Sequence, residues 1–465
     1  MSINSLLTFR RGWNLFLPGH GRGKALPSEI KNLLKQPGGY WDLPELPDLG
    51  GPLESFGEVQ LSQKEAANRL GTLDCWYGVN GATGLLQAGL FAVLNPGEYV
   101  LMPRNVHKSL INACSLGDFR PIFFDLPFDE SSGHYSPIDE YWVDKIIEEL
   151  KNIRIKISAI VIVNPTYQGY SFDVFSVIKK FKELGLPILV DEAHGTHFAT
   201  SLDLGLPGSA IHAGADLVVH SLHKSFNGLV QTAVLWLQGE KVIPSAVTES
   251  LALFQTSSPS SLLLASCEAA INDLMQPYKT NKLVRRIAES KVIFQKLKRL
   301  GVPLISNQDP LRLIINTASV GITGFEADNW FINNGFVAEL PEPGSLTFCL
   351  GLACHKGFVK SFYKCWTKLN DAYSQRDEIK SFAVPPLDLL SIPSKSFKDI
   401  KNSTFEQIEL ENSFDRISCD LICPYPPGIP MLVPGEKINK SRIDWLLNQK
   451  LYWKDQIPSK IRVVA

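Results

Sequence analysis

Asp216-Leu217-Val218-Val219-His220-Ser221-Leu222-His223-Lys224-Ser225 is the stretch that decides the fold. An apolar run of strand length breaks off into polar side chains, and Lys224 stands just past its end. Upstream, Pro187-Ile188-Leu189-Val190 does the same and runs into Asp191-Glu192-Ala193-His194-Gly195. Short runs that are apolar throughout, without alternation, suit strands covered on both faces. Two such strands deliver an acid and an amine at their carboxyl ends. A lysine alone after a strand is ordinarily solvated. Paired with Asp191, it meets the needs of pyridoxal 5'-phosphate (PLP): the amine forms an imine with the aldehyde, and the aspartate keeps the pyridine nitrogen protonated so that the ring accepts electrons.

Two further fragments fit such a site. Asn80-Gly81-Ala82-Thr83-Gly84 opens the apolar helical stretch that runs to Leu94. Free backbone N–H groups and the helix dipole favour an anion there, and Thr83 adds a hydroxyl. An ordinary Gly-rich turn reads the same way in isolation. Pro103-Arg104-Asn105-Val106-His107 follows the strand-like Glu98 to Met102. The imidazole of His107 is placed to stack on the pyridine ring, although a lone histidine after a strand is more often structural.

From about 56 to 270, helical stretches (Gln60 to Leu70, Ala82 to Leu94, Val174 to Leu184) alternate with short apolar strands. The strands are Tyr99 to Met102, Pro121 to Phe124, Ala159 to Val163, Ile188 to Val190, Leu217 to Val219 and Ala233 to Leu237. The fold class is therefore α/β: a mostly parallel sheet in a large domain, with a smaller α+β domain C-terminal to it. Ligands of such sheets bind beyond the carboxyl ends of the strands, where Asp191, Lys224 and His107 all fall. The divisions are an N-terminal arm over 1–55, a large domain over 56–300, a small α+β domain over 301–374, a polar, proline-bearing linker over 375–405 and a C-terminal segment over 406–465.

At 465 residues the chain needs more than one core. With 45% hydrophobic and 20% charged residues it reads as globular. A net charge of −1 gives no general attraction to nucleic acid or anionic membrane. No apolar run reaches membrane-spanning length, and Arg10 and Arg11 do not sit as in a signal peptide. A cytoplasmic location is the simplest reading. Eight cysteines are scattered without CxxC pairs or zinc spacing, so no metal is expected.

Taken together, these blocks resemble the class I Orn/Lys/Arg decarboxylases, of PLP-dependent transferase fold type I. The likeness runs from Pro18-Gly19-His20-Gly21 to Pro434-Gly435-Glu436. Between them lie Arg104 to Ser109, Asp191 to Gly195, Ser221 to Ser225, Gln255-Thr256-Ser257-Ser258-Pro259 and Pro424 to Pro430. The resemblance implies that Lys224 holds PLP, that Asp191 pairs with the pyridinium, and that His107 and Ala193 flank the ring. It implies that Gly81, Ala82, Thr83, Ser221 and His223 hold the phosphate. Ser257 and Ser258 would reach in from a neighbouring subunit, making a homodimer, or a tetramer, with a shared site. His194 stands where longer members carry an indole, and because the likeness starts almost at once, no counterpart of those members' wing domain is expected.

The activity implied is decarboxylation of a basic amino acid, arginine first, then lysine and ornithine. His223 is the favoured proton donor to the substrate carbon, with Lys224 the alternative. Glu339 and Glu436 are the candidate acids for the basic side chain. The rivals are an aminotransferase or α-oxoamine synthase, with Arg312 as the carboxylate clamp, and a catalytically silent PLP-fold partner protein.

Overall fold

The computed structural model describes residues 12–44, 46–353, 355–425, 428–453 and 455–465. Arg10, Arg11, Cys354, Pro426 and Pro427 lie outside the described residues. Seven strands, β1 (Asp74–Gly78), β2 (Tyr99–Pro103), β3 (Arg120–Phe124), β4 (Ile157–Val163), β5 (Ile188–Asp191), β6 (Leu217–Ser221) and β7 (Ala233–Leu237), build most of one sheet. Its order is β3-β2-β4-β5-β6-β7-β1. Strands β3 through β6 pair in parallel, and β7 runs antiparallel between β6 and β1. Every residue of β5 and β6 is buried. Successive side chains point to opposite faces. Accordingly Ile188, Val190 and Val218 join one apolar cluster, while Leu189, Leu217 and Val219 join the other. Each such side chain contributes about 1.5–3 kcal/mol by leaving water, which explains why these strands read as unbroken apolar runs.

His220 breaks that run in β6. Trp236 Nε1 donates to its Nδ1 at 3.0 Å, so Nε2 carries the proton and donates to Glu192 at 2.6 Å. Ser209 and the Ala210 N–H complete the carboxylate's shell. A fully buried polar group is tolerated here because each of these atoms has a partner.

Helices pack on both faces through spaced apolar positions. In Val174–Lys182 the buried residues are Val174, Val177, Ile178 and Phe181, one face of a 3.6-residue period, and the Asp173 carboxylate caps the N-terminus. Two helices open at the ligand edge of the sheet. Helix α1 (Gly81–Phe91) has no side-chain cap, and Gly81 adopts a left-handed φ of 70°. Helix α2 (Lys108–Gly117) is capped by His107, whose Nδ1 accepts from the Ser109 N–H.

The long helical stretch from 260 to 300 divides into Ser261–Leu274 and Lys282–Arg299. The second bridges two cores: Leu283 and Ile287 belong to the large cluster, Ile293 and Leu297 to the next. That next core lies under a four-stranded antiparallel sheet built on Arg312–Asn316 and Ser345–Cys349. Trp13–Asn14 of the arm pairs with Phe336–Val337 in this region. A further core gathers Leu410, Ile422, Leu432, Ile443, Leu446 and Trp453 around the hairpin Phe405–Glu409 with Lys460–Val464.

Residues 375–405 are not the linker expected from their polarity. Leu390–Ser391 adds an antiparallel edge strand to β3, and Phe397–Asn402 is a helix closed by a capping box. Strand β1 was not anticipated either, because Asp74-Cys75-Trp76-Tyr77-Gly78 mixes polar ends and aromatics without a clear period.

Candidate active site

Strand register assembles the site. Asp191 ends β5 opposite Val163 and Val219, and Ser221 ends β6. Ala233 of β7 pairs with both Ser221 and Gly78. Two strand spacings therefore separate the end of β6 from the loop that opens α1, about 10 Å along one sheet edge. A cavity of about 410 Å³ opens at this edge, and His107, Asp191, His194 and Lys224 all line it.

Lys224 is half-buried, and its Nζ lies 3.1 Å from His194 Nε2 and 5.5 Å from the Tyr167 ring centroid. Burial lowers the lysine's pKa against the opposing pull of Asp191 and Glu339, with Arg312 adding to the fall. The His194 pKa is also lowered, by burial first and then by Lys224 and Arg312. Arg312 can only donate, and its Nη2 faces His194 Nδ1 at 3.5 Å. With Nδ1 as the acceptor, Nε2 carries the proton and faces Lys224 Nζ. A lowered pKa makes the amine give up its proton more readily, and the free amine is the nucleophilic form.

Asp191 Oδ1 accepts from the Ala193 N–H at 3.1 Å, which fixes the carboxylate. His107 is held by Ser109 through Nδ1, at 2.8 Å from the hydroxyl. Burial lowers its pKa, Asp191 opposes, and Lys224 and Lys108 lower it further. The Gly19 N–H donates to the His223 carbonyl, and the Gly19 carbonyl accepts from the Leu352 N–H, so the Pro18-Gly19-His20 turn braces the chain beside Lys224.

His223 does not line the cavity as expected of a proton donor to substrate. Its Nδ1 sits 3.1 Å from Ser221 Oγ and 3.2 Å from the Thr232 carbonyl. Burial lowers its pKa to about 4, against the carbonyl's pull, so it is neutral near pH 7. It belongs with Ser221 on the side facing α1. Ser257 and Ser258 are exposed and absent from this chain's cavity wall. The segment before them is tied to the α1 loop, with Asn80 Nδ2 donating to the Phe254 carbonyl and the Val79 N–H to the Gln255 side chain.

Glu436 is not free to meet a substrate. Arg104 grips it with both terminal nitrogens at 2.9 and 2.8 Å, the Val433 N–H donates at 2.8 Å, and Arg442 Nη1 lies 3.3 Å away. Glu339 accepts from the Leu17 N–H at 2.8 Å and lies within electrostatic reach of Lys224 and Arg312. Arg312 is fully buried among Asp309, His194, Ser225 and the Tyr167 carbonyl and is not on the cavity wall. Tyr167 was missed by the sequence reading. It follows β4 at Asn164-Pro165-Thr166, so the rule that located Asp191 would have found it.

PLP fits the residues present. An amine of lowered pKa and a carboxylate share one cavity wall, the uncapped start of α1 lies along the same sheet edge, and a Cβ built on Gly81 would meet nothing within 4 Å, which leaves room for an anion at that end.

Comparison with known proteins agrees in detail. The family model of the Orn/Lys/Arg decarboxylase major domain matches residues 9–309, and that of the C-terminal domain matches residues 379–458. An arginine decarboxylase of Bacillus anthracis is 27% identical over 444 residues, covering 92% of this chain and 88% of that protein. An inducible lysine decarboxylase of Escherichia coli K12 is 21% identical over 489 residues, covering 84% and 67%. The crystal structure of the Francisella novicida lysine decarboxylase superposes with a TM-score of 0.78 at 17% identity, covering 95% of this chain and 81% of the other, so fold type I holds.

Proposed function

The chain belongs to the Orn/Lys/Arg decarboxylase family and is a PLP-dependent decarboxylase; on that premise we propose that it converts arginine to agmatine and carbon dioxide. The observation that carries the site assignment is the Lys224 amine and the Asp191 carboxylate at neighbouring strand ends, lining one cavity. The arginine preference rests on relatives of 26–27% identity that span most of this chain and are named arginine decarboxylases. Lysine and ornithine are the next substrates in order.

PLP supplies an electron sink for the pair left behind when the Cα–carboxylate bond breaks. Lys224 would hold it through Nζ, and Asp191 would keep its ring nitrogen protonated. His107 and Ala193 would flank it. The N–H groups of Gly81, Ala82 and Thr83, with Ser221 and His223, would take the phosphate. Removing the Asp191 charge would cost several kcal/mol of barrier, the scale of a major electrostatic contribution. Lys224 Nζ, backed by His194 Nε2–H, replaces His223 as the group that returns a proton to the substrate carbon, because it faces the cavity and His223 does not. A homodimer, in which Ser257 and Ser258 of one copy complete the other's phosphate site, is part of the proposal.

Purified holoenzyme is incubated separately with arginine, lysine and ornithine, and carbon dioxide and the amine are identified. Agmatine formed fastest from arginine supports the proposal. Cadaverine or putrescine as the dominant product overturns the substrate order, and a keto acid overturns the reaction.

A further inference from the structure

The cavity wall carries two carboxylates among the described residues, Asp191 beside Lys224 and Glu342 in the hairpin turn before Ser345. Glu342 is neither of the two acids that the sequence offered for the basic side chain. Its side chain is 4% exposed. Gln168 Nε2 donates to Oε1 at 2.8 Å, while Oε2 is buried without a hydrogen-bond partner. His134 Nε2 is 3.4 Å from Oε2, but that ring is committed elsewhere: Nδ1 to the Tyr170 hydroxyl at 2.9 Å and Nε2 to Ser345 Oγ at 2.8 Å. A buried carboxylate oxygen with no donor is costly, and a donor supplied by a ligand removes that cost.

The surroundings select what kind of donor fits. A Cβ placed on Gly133 would meet the Phe382 ring at 2.9 Å, and one on Gly344 at 2.4 Å. These two glycines sit next to His134 and two residues from Glu342, so the ring packs against the turn that presents the acid. Phe382 and Trp445 also line the cavity. A planar cation over an aromatic wall, with its N–H edge on a carboxylate, is the arrangement that suits a guanidinium better than a compact ammonium.

We infer that Glu342 binds the side-chain cation of the substrate and sets the preference for a guanidinium over a neutral group of the same shape. This rests on the reading of the substrate as a basic amino acid. Oε2 takes one N–H of the guanidinium, Gln168 holds Oε1 in place, and Phe382 covers the guanidinium plane.

The test uses holoenzyme and its Glu342→Gln variant, which keeps the shape and an acceptor for Gln168. Agmatine, which carries the guanidinium but no carboxylate, is titrated calorimetrically, alongside its neutral urea analogue N-carbamoylputrescine. The expected result is an agmatine Kd and an arginine KM raised at least fivefold, with kcat and the visible cofactor absorbance retained and the N-carbamoylputrescine Kd changed less than twofold. A smaller rise, or an equal loss for both ligands, overturns the assignment. Should Glu342→Gln not fold, Glu342→Asp keeps the charge one methylene short; it is expected to weaken agmatine at least twofold more than the urea analogue, and equal losses sink the idea. Wild-type enzyme that acts on no basic amino acid would refute the substrate reading itself. Wild-type enzyme that acts on arginine beside an unchanged Glu342→Gln variant refutes this inference alone.

Discussion

Replacing Glu436 by glutamine tests the joint between the C-terminal segment and the loop that carries His107. The carboxylate accepts three hydrogen bonds at 2.8–2.9 Å, two from Arg104 and one from Val433, and holds Arg442 at 3.3 Å. The side chains of Arg104, Glu436 and Arg442 are 1%, 3% and 5% exposed, so water cannot take the acid's place. The amide of Glu436→Gln would keep one acceptor but leave two guanidinium charges uncompensated. Removing one partner of a buried ion pair costs about 3–5 kcal/mol, and two stranded cations put this case near the top of that range. With a urea slope of about 3 kcal/mol per molar, the midpoint falls by roughly 1.7 M for a loss of about 5 kcal/mol. The assay is urea unfolding followed by tryptophan fluorescence at one fixed protein concentration, so that subunit association contributes equally to both proteins. A shift below about 0.3 M, or about 1 kcal/mol at that slope, would refute the argument that the charge is isolated from solvent. The combined change Arg104→Met, Glu436→Leu and Arg442→Met removes every charge of this cluster and is expected to recover most of the loss.

The same carboxylate predicts an acid limb. Burial raises its pKa, but Arg104 and Arg442 outweigh burial and hold it below the ordinary 4.5. Its contribution is complete above pH 4.5 and is lost as pH falls through the lower folded value, so wild type and Glu436→Gln converge in stability only in that acid range. Lys224→Ala is expected to abolish both the visible cofactor absorbance and carbon dioxide release; a variant with unchanged spectrum and rate contradicts the assignment of Nζ. In Gly19→Ala the new Cβ would lie 2.4 Å from the Phe226 carbonyl oxygen and 2.9 Å from that of Lys224. Backbone must move, and a loss of about 1–3 kcal/mol with weaker cofactor retention follows, measured by thermal unfolding and by absorbance after gel filtration. Full retention and an unchanged melting temperature would mean that the turn does not brace the lysine.

The large sheet was legible because its strands are buried on both faces, and a run such as Ile188-Leu189-Val190 has no solvent side to encode. That Asp191, His107 and Lys224 share one cavity wall was legible for the related reason that parallel strands all end at one edge. Strand β1 was less visible, since antiparallel pairing with β7 beside the Gly81 turn does not need an unbroken apolar run. The 375–405 segment misled through its polarity: a two-residue edge strand at Leu390–Ser391 and a capped six-residue helix carry too little pattern to separate them from a tether. Glu436 misled for another reason. Its partner Arg104 is 332 residues away in sequence, and no local spacing reports such a pair. Glu342 stayed hidden because what distinguishes it, an oxygen left without a donor, depends on Gln168, His134 and Ser345 arriving from separate parts of the chain.

The cavity wall draws on residues from Asn105 to Trp453. A chain emerging from the ribosome therefore displays Lys224 and Asp191 long before Tyr425, Trp445 and Trp453 exist to shield them from water. The wall therefore closes only when that late stretch folds back and Glu436 pairs with Arg104. A fragment that stopped before residue 425 would hold the whole lysine-bearing sheet and still lack one side of the cavity.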